Sequence, residues 1–306
     1  MKVLLATEKP FAAEAVTGIK KVLDEAGFEL VILEKYTEKK QLLDAVADVD
    51  AAIFRSDLFD KEVLEAGKNL KIVVRAGAGF DNIDLNAATA NNICAMNTPG
   101  QNANAVAELV FGLMVYGVRN FYNGKSGTEL QGKKLGIHAY GNVGQNVGRI
   151  AKGFGMEVYA YDPFLSAEAI EKAGAIAVKS VEELYASCQY VSLHIPATPE
   201  TIKSINFKLL NSMPAHAMLI NTARQEVINE VELADLMNAR PDFKYVTDIM
   251  PKNHTALADK FSDRYFATPK KMGAQTAEAN VNAGVAAAMQ IVDFIKNGNE
   301  KYRLNK

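Results

Sequence analysis

The feature that most constrains this chain is a strand–turn–helix–strand pattern over residues 134–162, KLGIHAYGNVGQNVGRIAKGFGMEVYAYD. An apolar run that ends near His138 predicts a buried strand, a glycine turn follows, and a helix is predicted through about Gly153. A second β-rich run at 156–161 predicts another strand and leads into Asp162. This order of elements is typical of a dinucleotide-binding βαβ unit.

The glycine turn and the acidic residue after the second strand are the candidate cofactor ligands. Backbone N–H groups at the start of the helix would hold a pyrophosphate, and Asp162 would accept hydrogen bonds from an adenosine ribose. Asp162 lies 18 residues beyond Gly144, close to the spacing of about 20 residues that such units show. The match is imperfect, because the first glycine of G-x-G-x-x-G falls on Ala139, and alanine tolerates a positive φ less well than glycine. Taken alone, the stretch also fits an ordinary tight turn. The turn residues are Gly141, Asn142, Val143 and Gly144.

The composition indicates an ordinary globular protein without a strong charge. Of the 306 residues, 49% are hydrophobic and 23% are charged, and the formal net charge is −2. This length predicts two domains, and the charge excludes an electrostatic footprint for nucleic acid or an anionic membrane. No apolar run reaches the roughly 18 residues that span a bilayer, and none at the N-terminus is long enough for a signal peptide. Cys94 and Cys188 are predicted to be reduced core thiols, so we expect a cytoplasmic protein.

The first hundred residues predict a small α/β domain. Short strands and helices alternate there, which indicates a parallel sheet covered on both faces. Gly27 is expected to cap the first helix. The predicted strands are 2–6, 29–33, 51–54 and 71–74, and the predicted helices are 11–26, 39–46 and 61–66.

Arginines follow two of these strands at the point where each strand ends. They are Arg55 and Arg75, and ligands of open parallel sheets bind beyond the carboxyl ends of the strands. Gly77 and Gly79 would let backbone amides approach a ligand while Arg75 supplies charge. A solvated ion pair is the commoner role of a single surface arginine. Two arginines at equivalent strand ends favour an anion site.

The rest of the chain continues the alternation of strands and helices. A broad apolar helix is predicted at 103–119, with burial on several sides and a possible partner subunit against it. Residues 250–263 are expected to be irregular, and the helix at 276–296 is expected to return the chain to the first domain. The other predicted strands are 175–178, 190–195, 217–220, 245–247 and 265–268, and the other predicted helices are 181–187, 206–211 and 231–238.

Over nearly its whole length the chain resembles the D-isomer-specific 2-hydroxyacid dehydrogenases, and within them it is most similar to short D-3-phosphoglycerate dehydrogenases. Together the motifs that carry this resemblance are more specific than the glycine turn alone. They are RAGAGFDNID at 75–84, MNTP at 96–99, GKKLGI at 132–137, NTAR at 221–224 and TP at 268–269.

The resemblance implies roles for individual residues. Arg224 would bind and polarise the carboxylate and carbonyl of a 2-oxo acid, a task that suits a planar and permanently charged group. Asp162 implies NAD rather than NADP, because its charge would repel a 2′-phosphate. Arg55 and Arg75 would hold a substrate phosphate. The other substrate-binding residues would be Gly77, Ala78, Gly79 and Asn102, and the residues that line the nicotinamide would be Thr222, Ala223 and Asp248.

The chain departs from the family at its acid/base pair. Where most members have a glutamate this chain has Asn253, and we expect the neighbouring His254 to be an exposed loop residue. The histidine position falls on Lys271 when it is counted back from the following glycine turn, and on Lys270 when it is counted forward from Pro269. We favour Lys271. A lysine can replace the histidine if partial burial among other cations favours its neutral form. The alternative is a pair of solvated lysines.

These observations predict an α/β protein of two doubly wound parallel-sheet domains, a flavodoxin-like substrate domain (1–100 plus 280–306) and a Rossmann NAD domain (101–279). The resemblance implies an NAD-dependent D-3-phosphoglycerate dehydrogenase, the first enzyme of the phosphorylated route of serine biosynthesis, that acts as a homodimer without a metal. The alternatives are a glyoxylate or hydroxypyruvate reductase and a corepressor-like protein that senses NAD(H) without catalysis.

Overall fold

The computed structural model describes residues 1–305 and divides the chain into two compact units. Unit 1 consists of Met1–Asn102 and Gln275–Lys306, and unit 2 consists of Ala103–Ala274. The expected division placed residues 101–102 and 275–279 in the second domain instead. Unit 1 is therefore discontinuous in sequence, and its last helix comes from the end of the chain.

Unit 1 is a five-stranded sheet between helices. Its strands are β1 Lys2–Thr7, β2 Glu29–Glu34, β3 Ala51–Phe54, β4 Ile72–Arg75 and β5 Cys94–Asn97. Its helices are α1 Ala13–Ala26, α2 Lys39–Val46, α3 Lys61–Ala66, α4 Leu85–Ala90 and, from the end of the chain, α12 Ala277–Asn297.

The sheet of unit 1 has the strand order β2-β1-β3-β4-β5, and every pair of strands is parallel. This is the flavodoxin-like order, so the predicted architecture is confirmed. Apolar side chains from the two faces of the sheet form two separate hydrophobic clusters, one under α1 and α12 and the other under α2, α3 and α4. Burial on both faces explains why the strands are nearly continuous apolar runs.

The end of the first helix agrees with the sequence, whereas its start at Ala13 is two residues later than the predicted start near residue 11. Gly27 caps α1 at a φ of 78°, which confirms the prediction.

The short helix α4 and strand β5 were not among the predicted elements. The sequence of α4, LNAATA, is only six residues long, too short to show a helical period. Its start is fixed by Asp84, whose side chain accepts a hydrogen bond from the N–H of Ala87 at 2.9 Å.

Unit 2 contains a seven-stranded sheet. Its strands are β6 Lys134–His138, β7 Glu157–Tyr161, β8 Ile176–Ala177, β9 Tyr190–Leu193, β10 Met218–Asn221, β11 Lys244–Thr247 and β12 Tyr265–Ala267. Its helices are α5 Ala103–Val118, α6 Asn142–Gly153, α7 Ala167–Lys172, α8 Val181–Ser187, α9 Phe207–Asn211, α10 Glu230–Ala239 and α11 His254–Phe261, with a 3₁₀ turn at Asn120–Tyr122.

The strand order of unit 2 is β12-β11-β10-β9-β6-β7-β8, again with parallel pairing throughout. It is the Rossmann order with one further strand, which confirms the second predicted sheet. The order reverses between β6 and β9, and this is the point where such sheets bind their ligands. Helix α5 packs on α6 and on strands β10 and β11, so the predicted burial on several sides is confirmed.

The segment 250–263 differs from its prediction. It was expected to be irregular, but it contains the eight-residue helix α11. The polar composition of HTALADKF concealed the helix, because its core contact comes from only one pair of residues four positions apart, Leu257 and Phe261. His254 is not the exposed loop residue that was expected. It begins α11, is half-buried, and its Nδ1 lies 2.8 Å from the hydroxyl oxygen of Tyr265.

Both cysteines are buried free thiols, as predicted. Burial raises the pKa of Cys94 to about 11 and that of Cys188 to about 12. Within residues 1–305, no helix combines the length and the hydrophobicity that a membrane span requires. The same residues contain no group of three or more side chains that could hold a metal ion.

Two histidines lie at the ends of the central strands β6 and β9. Burial lowers the pKa of His138 to about 4, which the charge of Asp162 partly opposes. Burial also lowers the pKa of His194 to about 3, and its neighbour His138 adds to this shift. The unfolded chain has an ordinary histidine pKa of about 6.5. Below that pH the unfolded state binds protons more readily, so stability is complete above about pH 6.5 and is lost as the pH falls towards 4.

We therefore expect the free energy of unfolding to decrease between pH 7.5 and pH 5, with about 2 kcal/mol of the loss due to His138. Urea unfolding of the wild type and of His138→Asn at both pH values measures this contribution, because asparagine cannot take up the proton. The exposed His216, changed to Asn, is the matched control and leaves the loss unchanged. An equal loss in wild type and His138→Asn would contradict the assignment.

Candidate functional site

The predicted cofactor-binding residues lie along one edge of the seven-stranded sheet. Because all seven strands are parallel, the loops that follow them meet at their carboxyl ends. Gly141 lies in the turn after β6, Asn142, Val143 and Gly144 form the first turn of α6, and Asp162 follows β7. The loops after β10, β11 and β12 carry Thr222, Ala223, Arg224, Asp248, Lys270 and Lys271.

The turn between β6 and α6 has the backbone geometry of a nucleotide-binding loop. Ala139 adopts a φ of 76°, the conformation that the first glycine of the motif usually provides. A Cβ atom on Gly144 would lie 2.4 Å from the carbonyl oxygen of Ala139, so glycine is needed for this close contact between helix and strand. A Cβ atom on Gly141 would meet nothing within 4 Å, which leaves this part of the backbone open to a ligand.

Asp162 is fixed beside this turn by two backbone amides. Its Oδ2 accepts a hydrogen bond from the N–H of Tyr140 at 2.8 Å, and its Oδ1 accepts one from the N–H of Phe164 at 2.9 Å. An ionised carboxylate has about four acceptor positions. The half-buried Asp162 therefore keeps acceptor capacity for the two hydroxyl groups of a ribose.

Three buried polar atoms in the loops after β10 and β11 have no hydrogen-bond partner within residues 1–305. One is Oδ1 of Asn253. The other two, Oγ1 of Thr222 and Oδ1 of Asp248, directly follow the strands. The other carboxylate oxygen of Asp248 accepts hydrogen bonds from the N–H groups of Gly273 at 2.7 Å and Met272 at 3.2 Å. Burial raises the pKa of Asp248, and these two amides together with the charge of Lys271 oppose the shift. A buried polar atom without a partner is costly, so the two atoms that directly follow the strands point to a polar ligand group.

Arg224 and Lys271 meet at one backbone carbonyl. Nη1 of Arg224 donates to the oxygen of Ala223 at 2.9 Å, and Nζ of Lys271 lies 3.4 Å from the same oxygen. Lys271 is exposed, which corrects the partial burial that was expected for it. Lys270 is also exposed, and its described hydrogen bond is that of its carbonyl oxygen, which accepts from the hydroxyl of Thr268 at 2.7 Å.

The loop that carries Arg224 is held by a residue to which the sequence analysis gave no role. Oδ1 of Asn221 accepts a hydrogen bond from the N–H of Ala223, and its Nδ2 donates to the carbonyl of Arg224, both at 3.0 Å. Asn221 is completely buried at the end of β10. Its place at the start of the NTAR motif was the available signal. Asn253, which the resemblance places where most family members have a glutamate, donates from Nδ2 to the carbonyl of Glu230 at 3.2 Å.

The two predicted arginines of unit 1 lie in a single hydrogen-bond network. Arg75 donates from Nε to the carbonyl of Arg55 at 3.0 Å and from Nη1 to the carbonyl of Gly79 at 2.9 Å. A Cβ atom on Gly77 would come within 2.6 Å of Nη1 of Arg75, so glycine leaves room for the guanidinium. The carbonyl of Ala78, on the same loop, accepts from Asn97. Asn102, at the end of the first segment of unit 1, is half-buried.

Arg55 itself is oriented by a residue from the last helix. Its Nη2 donates to Oδ1 of Asn280 at 2.6 Å, and its guanidinium carbon lies 5.3 Å from the centroid of the Phe11 ring. Burial lowers the pKa of Arg55, and the charge of Asp57 opposes this shift. The sequence offered no signal for Asn280, because α12 also contains Asn282 and Asn297 and nothing local distinguishes the three.

Residues 114–269 match the sequence profile of the D-isomer specific 2-hydroxyacid dehydrogenase, NAD binding domain. The chain belongs to the D-isomer-specific 2-hydroxyacid dehydrogenase family. The members of this family are NAD-dependent oxidoreductases that act on small 2-hydroxy acids. NAD is therefore the cofactor of this chain.

Individual relatives are similar over most of the chain. One solved relative is the NAD⁺-bound 3-phosphoglycerate dehydrogenase of Entamoeba histolytica, whose sequence is 46% identical to this chain. The two structures superpose with a TM-score of 0.88, and the match covers 100% of this chain and 99% of the relative. The D-3-phosphoglycerate dehydrogenase of Methanocaldococcus jannaschii is 34% identical over 90% of this chain, which spans only 55% of that relative. The hydroxypyruvate reductase of Thermotoga maritima is 34% identical, with 86% of this chain and 90% of that relative covered.

The residues at the edge of the seven-stranded sheet fit NAD. The unpaired Oγ1 of Thr222 and Oδ1 of Asp248 match the donor and acceptor groups of a carboxamide such as that of nicotinamide. The N–H groups in the first turn of α6 lack partners within the helix and are suited to a pyrophosphate. Asp162 has the acceptors that a ribose requires.

The strained backbone of Ala139 leads to a test of the turn. Alanine in the left-handed conformation costs about 1–2 kcal/mol, whereas glycine loses about 0.5–1 kcal/mol of chain entropy. We expect Ala139→Gly to be neutral or to stabilise the protein by up to about 1 kcal/mol in urea unfolding, with unchanged NADH affinity. The matched control is Ala160→Gly in β7, where φ is not positive, and it should destabilise the protein. Equal destabilisation by both substitutions would show that the turn is not strained.

Proposed function

We propose that this protein is an NAD-dependent D-3-phosphoglycerate dehydrogenase that interconverts 3-phosphoglycerate and 3-phosphohydroxypyruvate, the first step of the phosphorylated route of serine biosynthesis. The observation that carries the proposal is the pair of arginines at the carboxyl ends of β3 and β4, joined by the hydrogen bond from Arg75 to the carbonyl of Arg55. Two guanidinium groups are suited to a phosphate, which a simpler 2-hydroxy acid lacks. The Entamoeba relative, a 3-phosphoglycerate dehydrogenase, supports this choice.

In this proposal unit 1 binds the substrate and unit 2 binds NAD. Arg55 and Arg75 hold the phosphate. The backbone of 77–79 and the side chain of Asn102 contact the rest of the substrate. Arg224 binds the carboxylate and polarises the C2 oxygen, and its orientation benefits from Asn221, which fixes the loop on both sides.

Lys271 is the proposed acid/base. In the oxidation of the hydroxy acid, the O–H bond at C2 breaks and its proton passes to Nζ of Lys271, which is exposed and first gives up its own proton to solvent, while the C–H electron pair leaves C2 as hydride and the C=O bond forms. NAD⁺, when bound, supplies the acceptor of that hydride. In reduction, the ammonium of Lys271 returns the proton to the developing alkoxide, and Arg224 stabilises its charge.

A second candidate function is the reduction of hydroxypyruvate or glyoxylate. The observation that favours it is the similarity to the Thermotoga hydroxypyruvate reductase, whose length the chain covers almost completely. The proposed phosphate site favours the first candidate. A role as an NAD(H) sensor without catalysis does not require two cationic side chains at one carbonyl, so the contact of Arg224 and Lys271 there favours an enzyme.

The proposal includes a homodimer in the cytoplasm. The broadly apolar helix α5 belongs to the NAD-binding unit and is suited to an interface. The two free, buried thiols are typical of a reducing compartment. The mass of the purified chain in solution, about twice 33.3 kDa for a dimer, tests the assembly.

The substrate is tested by the loss of NADH absorbance with purified protein. We expect kcat/KM for 3-phosphohydroxypyruvate to exceed that for hydroxypyruvate and glyoxylate by roughly a hundredfold, because two charge-assisted contacts of about 1.5–3 kcal/mol each recognise the phosphate. A preference for the unphosphorylated acids would select the second candidate. Absence of turnover with all three acids would exclude the dehydrogenase.

The acid/base role is tested by substitution of the two neighbouring lysines. We expect Lys271→Ala to lower kcat by about 10²–10⁴-fold with little change in NADH affinity, since it removes the proton carrier. Lys271→Arg should be equally impaired, because arginine keeps the charge but does not release its proton near neutral pH. The matched control Lys270→Ala should keep kcat within about twofold of the wild type. An inactive Lys270→Ala beside an active Lys271→Ala would reverse the assignment.

A further inference from the structure

Arg55 has an unusual environment for a half-buried cation. In the part of the chain that the structure describes, no carboxylate lies within ion-pair distance of its guanidinium. Its partners are neutral groups, the amide oxygen of Asn280 at 2.6 Å and the face of Phe11. Partly buried charges are normally paired, so this guanidinium lacks the counter-charge that its burial calls for.

The nearby Asp57 does not supply that counter-charge by direct contact. Its Oδ1 accepts hydrogen bonds from the N–H of Glu8 at 2.8 Å and from the hydroxyl of Tyr36 at 2.7 Å. Its Oδ2 lies 3.3 Å from the backbone N of Arg55 rather than at the guanidinium. Asp57 therefore fixes the backbone of the loop, and the guanidinium is left for another anion.

The orientation of the Asn280 amide is settled by its second contact. Nδ2 of Asn280 donates to the carbonyl of Thr276 at 2.7 Å, in the first turn of α12. The reverse orientation would place an N–H₂ group against the guanidinium and a carbonyl against a carbonyl. Asn280 thus presents its oxygen to Arg55 by necessity.

A neutral acceptor at this position has a specific consequence. An aspartate would also accept a hydrogen bond from Arg55, but it would lose the donor to the carbonyl of Thr276. Its charge would in addition cancel that of the guanidinium and repel a phosphate. We propose that Asn280 is a positioning residue that determines specificity for a phosphorylated substrate: it aims Arg55 and leaves its charge uncancelled. This inference rests on the proposed function, and it identifies the dianionic phosphate as the group that supplies the missing counter-charge.

The test compares two substitutions of Asn280 in the full chain. We expect Asn280→Asp to raise KM for 3-phosphohydroxypyruvate by roughly tenfold or more, with KM for hydroxypyruvate and both kcat values within about twofold of the wild type. Asn280→Ala removes the orienting oxygen without adding a charge and should raise the same KM by only about threefold. A merely structural role would move the constants for both substrates together.

The matched control is Asn282→Asp, which places the same charge on the same turn of α12 at an exposed position. It should leave every constant within about twofold of the wild type. If Asn280→Asp and Asn282→Asp behave alike, Asn280 has no role in specificity. If Asn280→Ala raises KM as much as Asn280→Asp, the neutral charge of residue 280 has no role in the binding of the phosphate.

A measurement without turnover separates this inference from the proposed function. Inorganic phosphate should raise the melting temperature of the wild type and of Asn282→Asp by several degrees more than that of Asn280→Asp. If the wild type does not prefer the phosphorylated substrate, the proposed function fails, and the difference in phosphate protection still decides whether Asn280 preserves an anion site. Equal protection of all three proteins would overturn the inference.

Discussion

The parallel pairing of strands is the constraint on which the rest of this structure depends. In unit 2 the register aligns Asn221 of β10 with Thr247 of β11, and Thr247 with Ala267 of β12. The residues that follow these three therefore leave the sheet side by side. Side chains that are far apart in sequence become neighbours without any direct attraction between them. The backbone hydrogen bonds of the sheet therefore bring the candidate site residues together at the carboxyl ends of the strands.

Asp248 fixes the position of the segment that carries the proposed acid/base, Lys271. Its buried carboxylate binds the amides of Met272 and Gly273, so the segment that carries Lys271 is attached to the end of β11. Asn221 fixes the loop of Arg224 in the same way from the end of β10. Two completely buried side chains thus fix the segments that bring the two cations to one carbonyl.

The sequence was a good guide where a single local pattern decides the structure. Apolar runs located most of the strands, and Gly27 located the end of α1. The sequence was a poor guide where a contact is long-range: nothing in α12 indicated that Asn280 would face Arg55, which is 225 positions away. The helix α11 was missed because one i,i+4 pair carries its burial. The exposure of Lys271 agrees with the solvated lysines that the sequence offered as the alternative.

The turn at Ala139 shows what is preserved in a nucleotide-binding loop. Its N–H bonds to the carbonyl of Tyr161 at 2.9 Å, and its carbonyl lies against Gly144, so the surrounding structure holds a left-handed φ that alanine alone would avoid. The selected property is a backbone conformation, and glycine is only the easiest way to reach it. A search that demands three glycines would pass over this protein, whereas a search for the shape of the turn would find it.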